Sequence, residues 1–464
     1  MKEYDEFLKE KLSFNQSSGF EVNIEDLNPN LFDWQALLTK WSLLKGKSAL
    51  FEDTGLGKTL QQLSWSDAIC KHTKGAVLGY APLAVSHQTV REGKKFGIEV
   101  HRCDGQKDVR KGINITNYER LDKFDPNSFD GIFLDESSRI KNDTAQFRNA
   151  VIESYIKTPY KLCCSATPSP NDYTELGNTA EFLGVMTMSE MKSMFFINDS
   201  GDTTASWRLK GHVLNNRFWE WLASWCVMIR KPSDIGFSDD GYVLPKLNYI
   251  EHVIPYKGKK KGFFVQQAKG LSEVRESMRE TLEERCKLAA KIVNSSDDVW
   301  VVWCNLNPEG EMLTSLINKA VEVAGNTNDD LKVKHFLDFA DNKIKCLVTK
   351  PKIAMYGMNW QNCNNIVVTG LSHSFEQFYQ LVRRFWRFGQ TKEVNVHIVI
   401  GQREGSVLQT VRRKEKQMQD MFQAMIKHMQ KLMKQELEKT ERKETEYNPQ
   451  IEMKLPAFLE RDKK

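Results

Sequence analysis

Residues 52–59 read Glu-Asp-Thr-Gly-Leu-Gly-Lys-Thr, between the apolar run 48–51 and a helix-compatible stretch. Two glycines let the backbone curl so that its N–H groups face a phosphate, a lysine reaches the terminal phosphates, and a threonine hydroxyl binds Mg²⁺. The general pattern has glycine at the position of Glu52, so an ordinary strand-to-helix turn is the alternative for this segment alone. The predicted nucleotide site comprises Thr54, Gly55, Leu56, Gly57, Lys58 and Thr59.

An acidic pair, Asp135 and Glu136, follows the apolar run 131–134. Carboxylates at the carboxyl end of a strand in an α/β protein are placed for metal and base chemistry. Asp135 would hold Mg²⁺ together with Thr59, and Glu136 would orient or deprotonate an attacking water. Taken alone, such a pair is more often a turn or a helix cap, but the glycine-rich loop upstream favours the catalytic interpretation.

Two further segments carry polar groups suited to a phosphate site. Ser165 and Thr167 follow the apolar residues 161–164 and could relay hydrogen bonds, although a proline-terminated strand is the simpler interpretation. Residues 377–390 are predicted to be helical, which would place Arg384 and Arg387 on one face. Guanidinium groups there could neutralise charge on a transferring phosphoryl group, and a solvated arginine face is the alternative.

Composition places the chain among ordinary globular proteins. It has 464 residues, a net charge of +5 and nine cysteines without a Cys-x-x-Cys pair, which predicts buried structural thiols. Mean hydropathy is −0.51, and no apolar run approaches the roughly 20 residues that span a bilayer. The charged N-terminal residues are unlike a secretory signal, so we expect a cytoplasmic protein, or a nuclear one if the source is eukaryotic.

Short apolar strands alternate with amphipathic stretches, which predicts an α/β fold with two parallel sheets. Strands are predicted at 47–51, 75–80, 113–116, 131–134 and 161–165, then at 299–304, 344–349, 365–369 and 394–400. The predicted parts are an N-terminal domain (1–240) with a strand-free helical insertion around 178–232, a second domain (241–405) and a helical extension (406–464). A long helical stretch is also expected over 271–294.

The extension carries an apolar stripe at helical spacing, Met418, Met421, Met425, Met429 and Leu432. The simplest interpretation is that this stripe packs on the body of the protein. A protein partner or a coiled coil is the alternative.

Taken in order, these elements resemble superfamily 2 helicases and, within them, the Swi/Snf-type translocases of double-stranded DNA. The resemblance covers roughly residues 32–400 and also includes segments 81–88, 117–119, 141–142 and 384–392. The carboxylate at Glu52 is typical of that family. Two departures stand out: Ser137 and Ser138 replace the usual Ala-His, and Ser165-Ala166-Thr167-Pro168 replaces Gly-Thr-Pro. A compact form of this kind would be bacterial or phage-encoded.

The resemblance implies two tandem RecA-like domains that bind ATP and Mg²⁺ between them and act on DNA, preferably duplex. It places Gln35 against the adenine, Lys58 and Thr59 at the phosphates and Mg²⁺, and Asp135 and Glu136 at metal and water. It makes Arg384 and Arg387 arginine fingers. Ser165, Thr167, Gly357 and Asn359 would couple ATP to DNA, with Ser138 or another route replacing the missing histidine. A strand-separating DNA or RNA helicase and an ATP-gated DNA-binding switch with vestigial hydrolysis are the alternatives.

Overall fold

The computed structural model describes residues 17–141, 145–198, 207–256, 271–354, 360–372 and 374–437. Gly357 and Asn359, two of the predicted coupling residues, lie outside these ranges. Within them, no helix is long and apolar enough to cross a membrane.

The first domain is built on a seven-stranded parallel sheet. Its strands are β1 (Lys47–Glu52), β2 (Ala76–Ala81), β3 (Val100–Arg102), β4 (Gly112–Asn117), β5 (Gly131–Asp135), β6 (Tyr160–Cys164) and β9 (Cys226–Ile229). The strand order is β3-β4-β2-β5-β6-β1-β9. The central strands are apolar and almost fully buried, as expected for a sheet covered on both faces. Leu50 of β1 pairs with Cys164 on one side and Val227 on the other.

The second domain has a six-stranded parallel sheet. Its strands are β10 (Leu247–Ile254), β11 (Trp300–Trp303), β12 (Ala320–Val323), β13 (Cys346–Thr349), β14 (Asn365–Thr369) and β15 (Val394–Gly401). The order is β10-β15-β14-β11-β13-β12. The predicted fold class, two parallel-sheet α/β domains of the RecA-like kind, is therefore confirmed.

Helices connect and cover both sheets. In the first domain they are α1 (Asp33–Lys45), α2 (Lys58–Thr73), α3 (Leu83–Lys95), α4 (Ala145–Ser154), α5 (Leu176–Leu183), α6 (Met188–Phe195) and α7 (His212–Ala223). In the remainder they are α8 (Leu271–Glu280), α9 (Leu282–Val293), α10 (Asn307–Leu316), α11 (Asp329–Ala340), α12 (Pro351–Ala354), α13 (Phe375–Val382) and α14 (Gly405–Leu437).

One prediction about these elements is wrong. The insertion expected to lack strands contains β7 (Phe196–Asn198) paired antiparallel with β8 (Trp207–Leu209), and it ends in β9, which joins the first sheet. The helical stretch expected over 271–294 is present as two consecutive helices, because the backbone at Thr281 leaves the helical region. The Thr281 hydroxyl there donates to the Ser277 carbonyl and accepts from Arg285 Nε.

The C-terminal helix α14 begins directly after the second sheet and crosses to the first domain, where it packs on α7 and β9. Met418, Met421, Met425 and Met429 are buried in this contact, which confirms that the stripe packs on the body of the protein. The side chain of Leu432 lies outside the described residues. The apolar face that the sequence offered to a possible partner is thus occupied within the chain.

Candidate active site

The glycine-rich loop joins β1 to α2, and its conformation requires glycine at two positions. Gly55 and Gly57 have φ angles of +85° and +80°, in the left-handed region that disfavours other residues. A Cβ on Gly57 would lie 2.4 Å from Gln35 Nε2. That amide donates to the Leu56 carbonyl at 2.7 Å, and the Phe32 N–H donates to Gln35 Oε1 at 3.0 Å. Gln35 therefore supports the loop, and its predicted contact with adenine remains a prediction.

Lys58 lies over the loop that precedes it. Its ammonium group donates to the carbonyls of Glu52 at 2.7 Å and Asp53 at 3.0 Å. Glu52 is buried beneath, where it accepts a 2.8 Å hydrogen bond from Gln61. Burial raises the pKa of Glu52 to about 7, against the opposing effects of the Lys58 charge and the Gln61 hydrogen bond. The carboxylate that replaces the usual glycine is thus part of the support of the loop.

The acidic pair lies at the carboxyl end of β5, close to the loop. Asp135 Oδ1 accepts from Gln62 at 2.8 Å, and the Asp135 carbonyl accepts from the Tyr118 hydroxyl at 2.7 Å. Glu136 has a φ of +55°, an unusual backbone conformation of the kind that concentrates at functional sites. Burial raises the pKa of Asp135, and burial followed by the charge of Asp135 raises the pKa of Glu136 to about 7.

Arg384 and Arg387 come from the second domain, but not from a helix as predicted. Helix α13 ends at Val382, and both arginines lie in the turns that follow. The reason is tertiary: the Arg384 carbonyl accepts from the Trp360 N–H at 3.2 Å, and the Phe385 carbonyl accepts from the Gln390 amide at 3.2 Å. Burial lowers the pKa of Arg387, with Glu92 opposing, so an anion beside it would be stabilising.

One cleft between the domains brings most of the predicted residues together. It has a volume of about 170 Å³ and is lined from the first domain by Thr54, Gly55, Gly57, Lys58, Thr59, Asp135 and Glu136, and from the second by Arg384 and Arg387. Loop N–H groups and Lys58 from one domain, with Arg384 and Arg387 from the other, suit a polyphosphate. Thr59 and Asp135 offer the oxygen ligands that Mg²⁺ prefers. No group of three or more His, Cys, Asp or Glu that could hold a metal occurs among the described residues.

The family model described as the SNF2-related domain matches residues 37–281, which is more than half of the chain. The chain belongs to the SNF2-related family. This membership confirms the predicted assignment to the Swi/Snf-type ATPases of superfamily 2.

Two individual proteins show a more distant similarity to this chain. Chromatin remodeling factor mit1 of Schizosaccharomyces pombe is 27% identical over 206 residues, which cover 36% of this chain and 14% of mit1. The solved structure of a Sulfolobus solfataricus SWI2/SNF2 ATPase core in complex with dsDNA is 17% identical, with a TM-score of 0.42, and the match covers 90% of this chain and 98% of that one.

The SNF2-related site also contains residues that the sequence analysis did not assign. Val85, Gln88 and Glu92 reach the cleft from α3, and Gln380 and Arg383 reach it from the second domain. Val85 and Gln88 lie within segment 81–88, and Arg383 directly precedes segment 384–392, so proximity to known motifs was the available signal. Their individual roles depend on contacts that the local sequence does not reveal.

The predicted coupling residues that the structure describes lie between the acidic pair and the second domain. The Ser165 hydroxyl is 3.4 Å from Glu136 Oε2, and the Thr167 hydroxyl is 3.5 Å from Glu376 Oε1 on α13. Ser138 donates to the same Glu376 oxygen at 2.9 Å. In this SNF2-related chain, the serine at the position of the usual histidine thus contacts the second domain directly.

Proposed function

We propose that this SNF2-related chain hydrolyses ATP between its two domains and uses the cycle to move along duplex DNA. The observation that carries the proposal is the cleft in which a phosphate loop and an acidic pair from one domain face Arg384 and Arg387 from the other. Family membership supports DNA as the partner, and the similarity to part of a chromatin remodeling factor is consistent with it.

In this proposal, the loop N–H groups and Lys58 bind the phosphates. Lys58 exchanges its bonds to the Glu52 and Asp53 carbonyls for phosphate oxygens. Thr59 and Asp135 would hold Mg²⁺, which supplies further neutralisation of phosphate charge when bound. Glu136 orients or deprotonates the attacking water. Arg384 and Arg387 stabilise charge on the transferring phosphoryl group, an effect worth on the order of 10³-fold or more for one arginine finger.

The division of the cleft between two domains links chemistry to movement. ATP would hold the domains together, and product release would let them separate. Two DNA-contacting domains that approach and part in this way advance along a backbone, with phosphate contacts that are independent of sequence and sensitive to salt. A strand-separating helicase would use the same cleft, and an ATP-gated switch would bind without sustained turnover.

The test is ATP turnover without nucleic acid and with single-stranded DNA, duplex DNA, forked DNA or RNA. We expect the greatest stimulation by duplex DNA, together with displacement of a third strand from a triplex and little unwinding of forks. Efficient fork unwinding would instead favour the helicase, and background turnover with saturating duplex would favour the switch.

Three variants test the assigned roles. Lys58→Ala and Glu136→Gln should each abolish turnover, because one removes a phosphate ligand and the other the base. Lys71→Ala is the matched control, since Lys71 lies exposed near the far end of the same helix and pairs with Asp67. Turnover retained in Glu136→Gln would refute the role of that residue.

A further inference from the structure

A buried ion pair joins the phosphate loop to the second domain. Arg383 Nη2 lies 2.7 Å from Asp53 Oδ2, and the Tyr379 hydroxyl donates to Asp53 Oδ1 at 2.5 Å. The Asp53 side chain is 5% exposed and that of Arg383 is 12% exposed. Within the loop, the Thr54 N–H donates to Asp53 Oδ1 at 2.6 Å. The Thr54 hydroxyl also lies 3.5 Å from Asp53 Oδ1, so the carboxylate receives two contacts from its own loop and two from the other domain.

Both partners are held in place from their own sides. The Asp53 N–H donates to the Ile229 carbonyl of β9 at 2.9 Å, which fixes the start of the loop. The Arg383 guanidinium lies 4.9 Å from the Tyr379 ring centre and 4.3 Å from that of Trp386. Burial alone would lower the pKa of Arg383, but Asp53, Tyr379 and Tyr249 together outweigh burial, and the pKa is raised.

Placement of a carboxylate in a phosphate loop has an electrostatic consequence. Asp53 directly precedes Thr54, which lines the cleft, so an unpaired Asp53 charge would repel a bound polyphosphate. A buried carboxylate without a partner is also costly in itself. Arg383 removes both penalties, but only while the second domain is against the loop.

The pair also determines where the next residues lie. Arg384 follows Arg383 directly, so its Cα is about 3.8 Å away. A Cβ on Gly55 would lie 3.3 Å from Arg387 Cβ and 3.0 Å from the Phe388 nitrogen, which shows how closely this segment approaches the loop. Fixing Arg383 on Asp53 therefore restricts the position of both arginines that line the cleft.

We propose that Asp53, Arg383 and Tyr379 form an interdomain latch that positions Arg384 and Arg387 against the phosphate loop in the closed cleft. The latch residues are positioning residues and neutralise the loop charge. This inference rests on the proposed ATPase function.

The test is a double-mutant cycle of Asp53→Asn, Arg383→Gln and the two combined, with kcat and KM for ATP measured in saturating duplex DNA. Arg383→Gln should raise KM, because the Asp53 charge is exposed to the nucleotide, and lower kcat, because the adjacent arginines are displaced. Adding Asp53→Asn should recover part of the KM defect. We expect the combined loss in kcat/KM to be roughly 10-fold smaller than the product of the single losses.

Two further variants separate the latch from a general effect on folding. Arg412→Gln is the matched control, because Arg412 forms an exposed ion pair with Glu251 and lies in α14, and it should change kcat/KM by less than about twofold. Tyr379→Phe keeps the ring and loses the hydroxyl, so it should lower kcat without a change in thermal unfolding. If Arg383→Gln does not fold, Tyr379→Phe and Asp53→Asn replace it in the cycle.

Domain closure is read independently by small-angle X-ray scattering. Arg383→Gln should expand the particle, and the added Asp53→Asn should not expand it further. If the wild type hydrolyses ATP and the kinetic effects of Asp53→Asn and Arg383→Gln are additive, the latch is overturned and the proposed function remains intact. If the wild type shows no turnover, the proposed function fails, and scattering decides: no expansion in Arg383→Gln then overturns the latch as well.

Discussion

Two adjacent serines provide a test of how the acidic pair communicates with the second domain. Ser138 donates to Glu376 Oε1 at 2.9 Å across the domain boundary, and both residues are buried. The Ser137 hydroxyl is equally buried but has no hydrogen-bond partner within the part of the chain that the structure describes. Ser138→Ala and Ser137→Ala therefore remove the same atom, and one of the two changes breaks an interdomain contact.

The size of the effect follows from the chemistry of the bond. A hydrogen bond to an ionised group contributes about 1.5–3 kcal/mol, which corresponds to roughly 10- to 150-fold in an equilibrium between closed and open domains. Thr167 lies 3.5 Å from the same oxygen and keeps a weaker contact. We therefore expect Ser138→Ala to fall near the lower limit, with about a 10-fold loss of DNA-stimulated kcat.

The assay is steady-state ATP turnover with saturating duplex DNA, with thermal unfolding as a check on the fold. ATP turnover of Ser137→Ala should remain within about twofold of that of the wild type, because the Ser137 hydroxyl has no hydrogen-bond partner among the described residues and its removal breaks no contact. Equal losses in the two variants would refute the assignment, because the effect would then reflect burial of serine and not the bond to Glu376. Undiminished turnover in Ser138→Ala would refute it too.

Three further outcomes follow from the structure. Gly57→Ala should lower kcat/KM for ATP at least about 10-fold, because its Cβ would meet the buried amide of Gln35. Gly97 has a φ of +72° and open space around it. Gly97→Ala should therefore lower the free energy of unfolding in urea by about 1–2 kcal/mol and leave turnover nearly unchanged. The pKa of Glu136 is raised to about 7 from 4.5. The contribution of Glu136 to the free energy of unfolding is therefore present below about pH 4.5 and is lost as the pH rises through 7. In metal-free urea unfolding, Glu136→Gln should be more stable than wild type by up to about 3 kcal/mol at about pH 8, with little difference near pH 5. Arg285→Met should cost about 3–5 kcal/mol in the same assay, because Glu309, 2.6 Å away and fully buried, loses its partner.

Features that depend on a short stretch of chain were predictable from the sequence. The loop at 54–59 needs only its own glycines, lysine and threonine between a strand and a helix, and the structure has β1 and α2 there. The long apolar strands were found for the same reason. β10 was missed because it is an edge strand whose apolar residues are largely exposed, and its identity depends on pairing with β15, far along the chain.

Features that depend on distant contacts were not predictable in this way. The stretch after Val382 has helical composition, but it leaves the helix, and its carbonyls accept hydrogen bonds from Trp360 and the Gln390 side chain. Asp53 and Arg383 become partners because two domains meet, and neither residue carries a local signal of that pairing. For the same reason, the contact of Ser138 with Glu376 of the second domain was not predictable from the local sequence.

The phosphate loop and the segments around the acidic pair both contact one side of α13 and of Arg383, the residue that follows this helix. Glu376, Tyr379 and Arg383 are spaced i, i+3 and i+7, which places them along one side of a helix. Glu376 accepts hydrogen bonds from Ser138 and Thr167, which lie in the segments around the acidic pair. Tyr379 donates a hydrogen bond to Asp53 of the phosphate loop, and Arg383 forms an ion pair with it. Because a helix of this length moves as a unit, the second domain cannot dock on the loop without also docking on the acidic pair. The arginines that follow α13 therefore enter the cleft when the glycine-rich loop and the acidic pair are both in place.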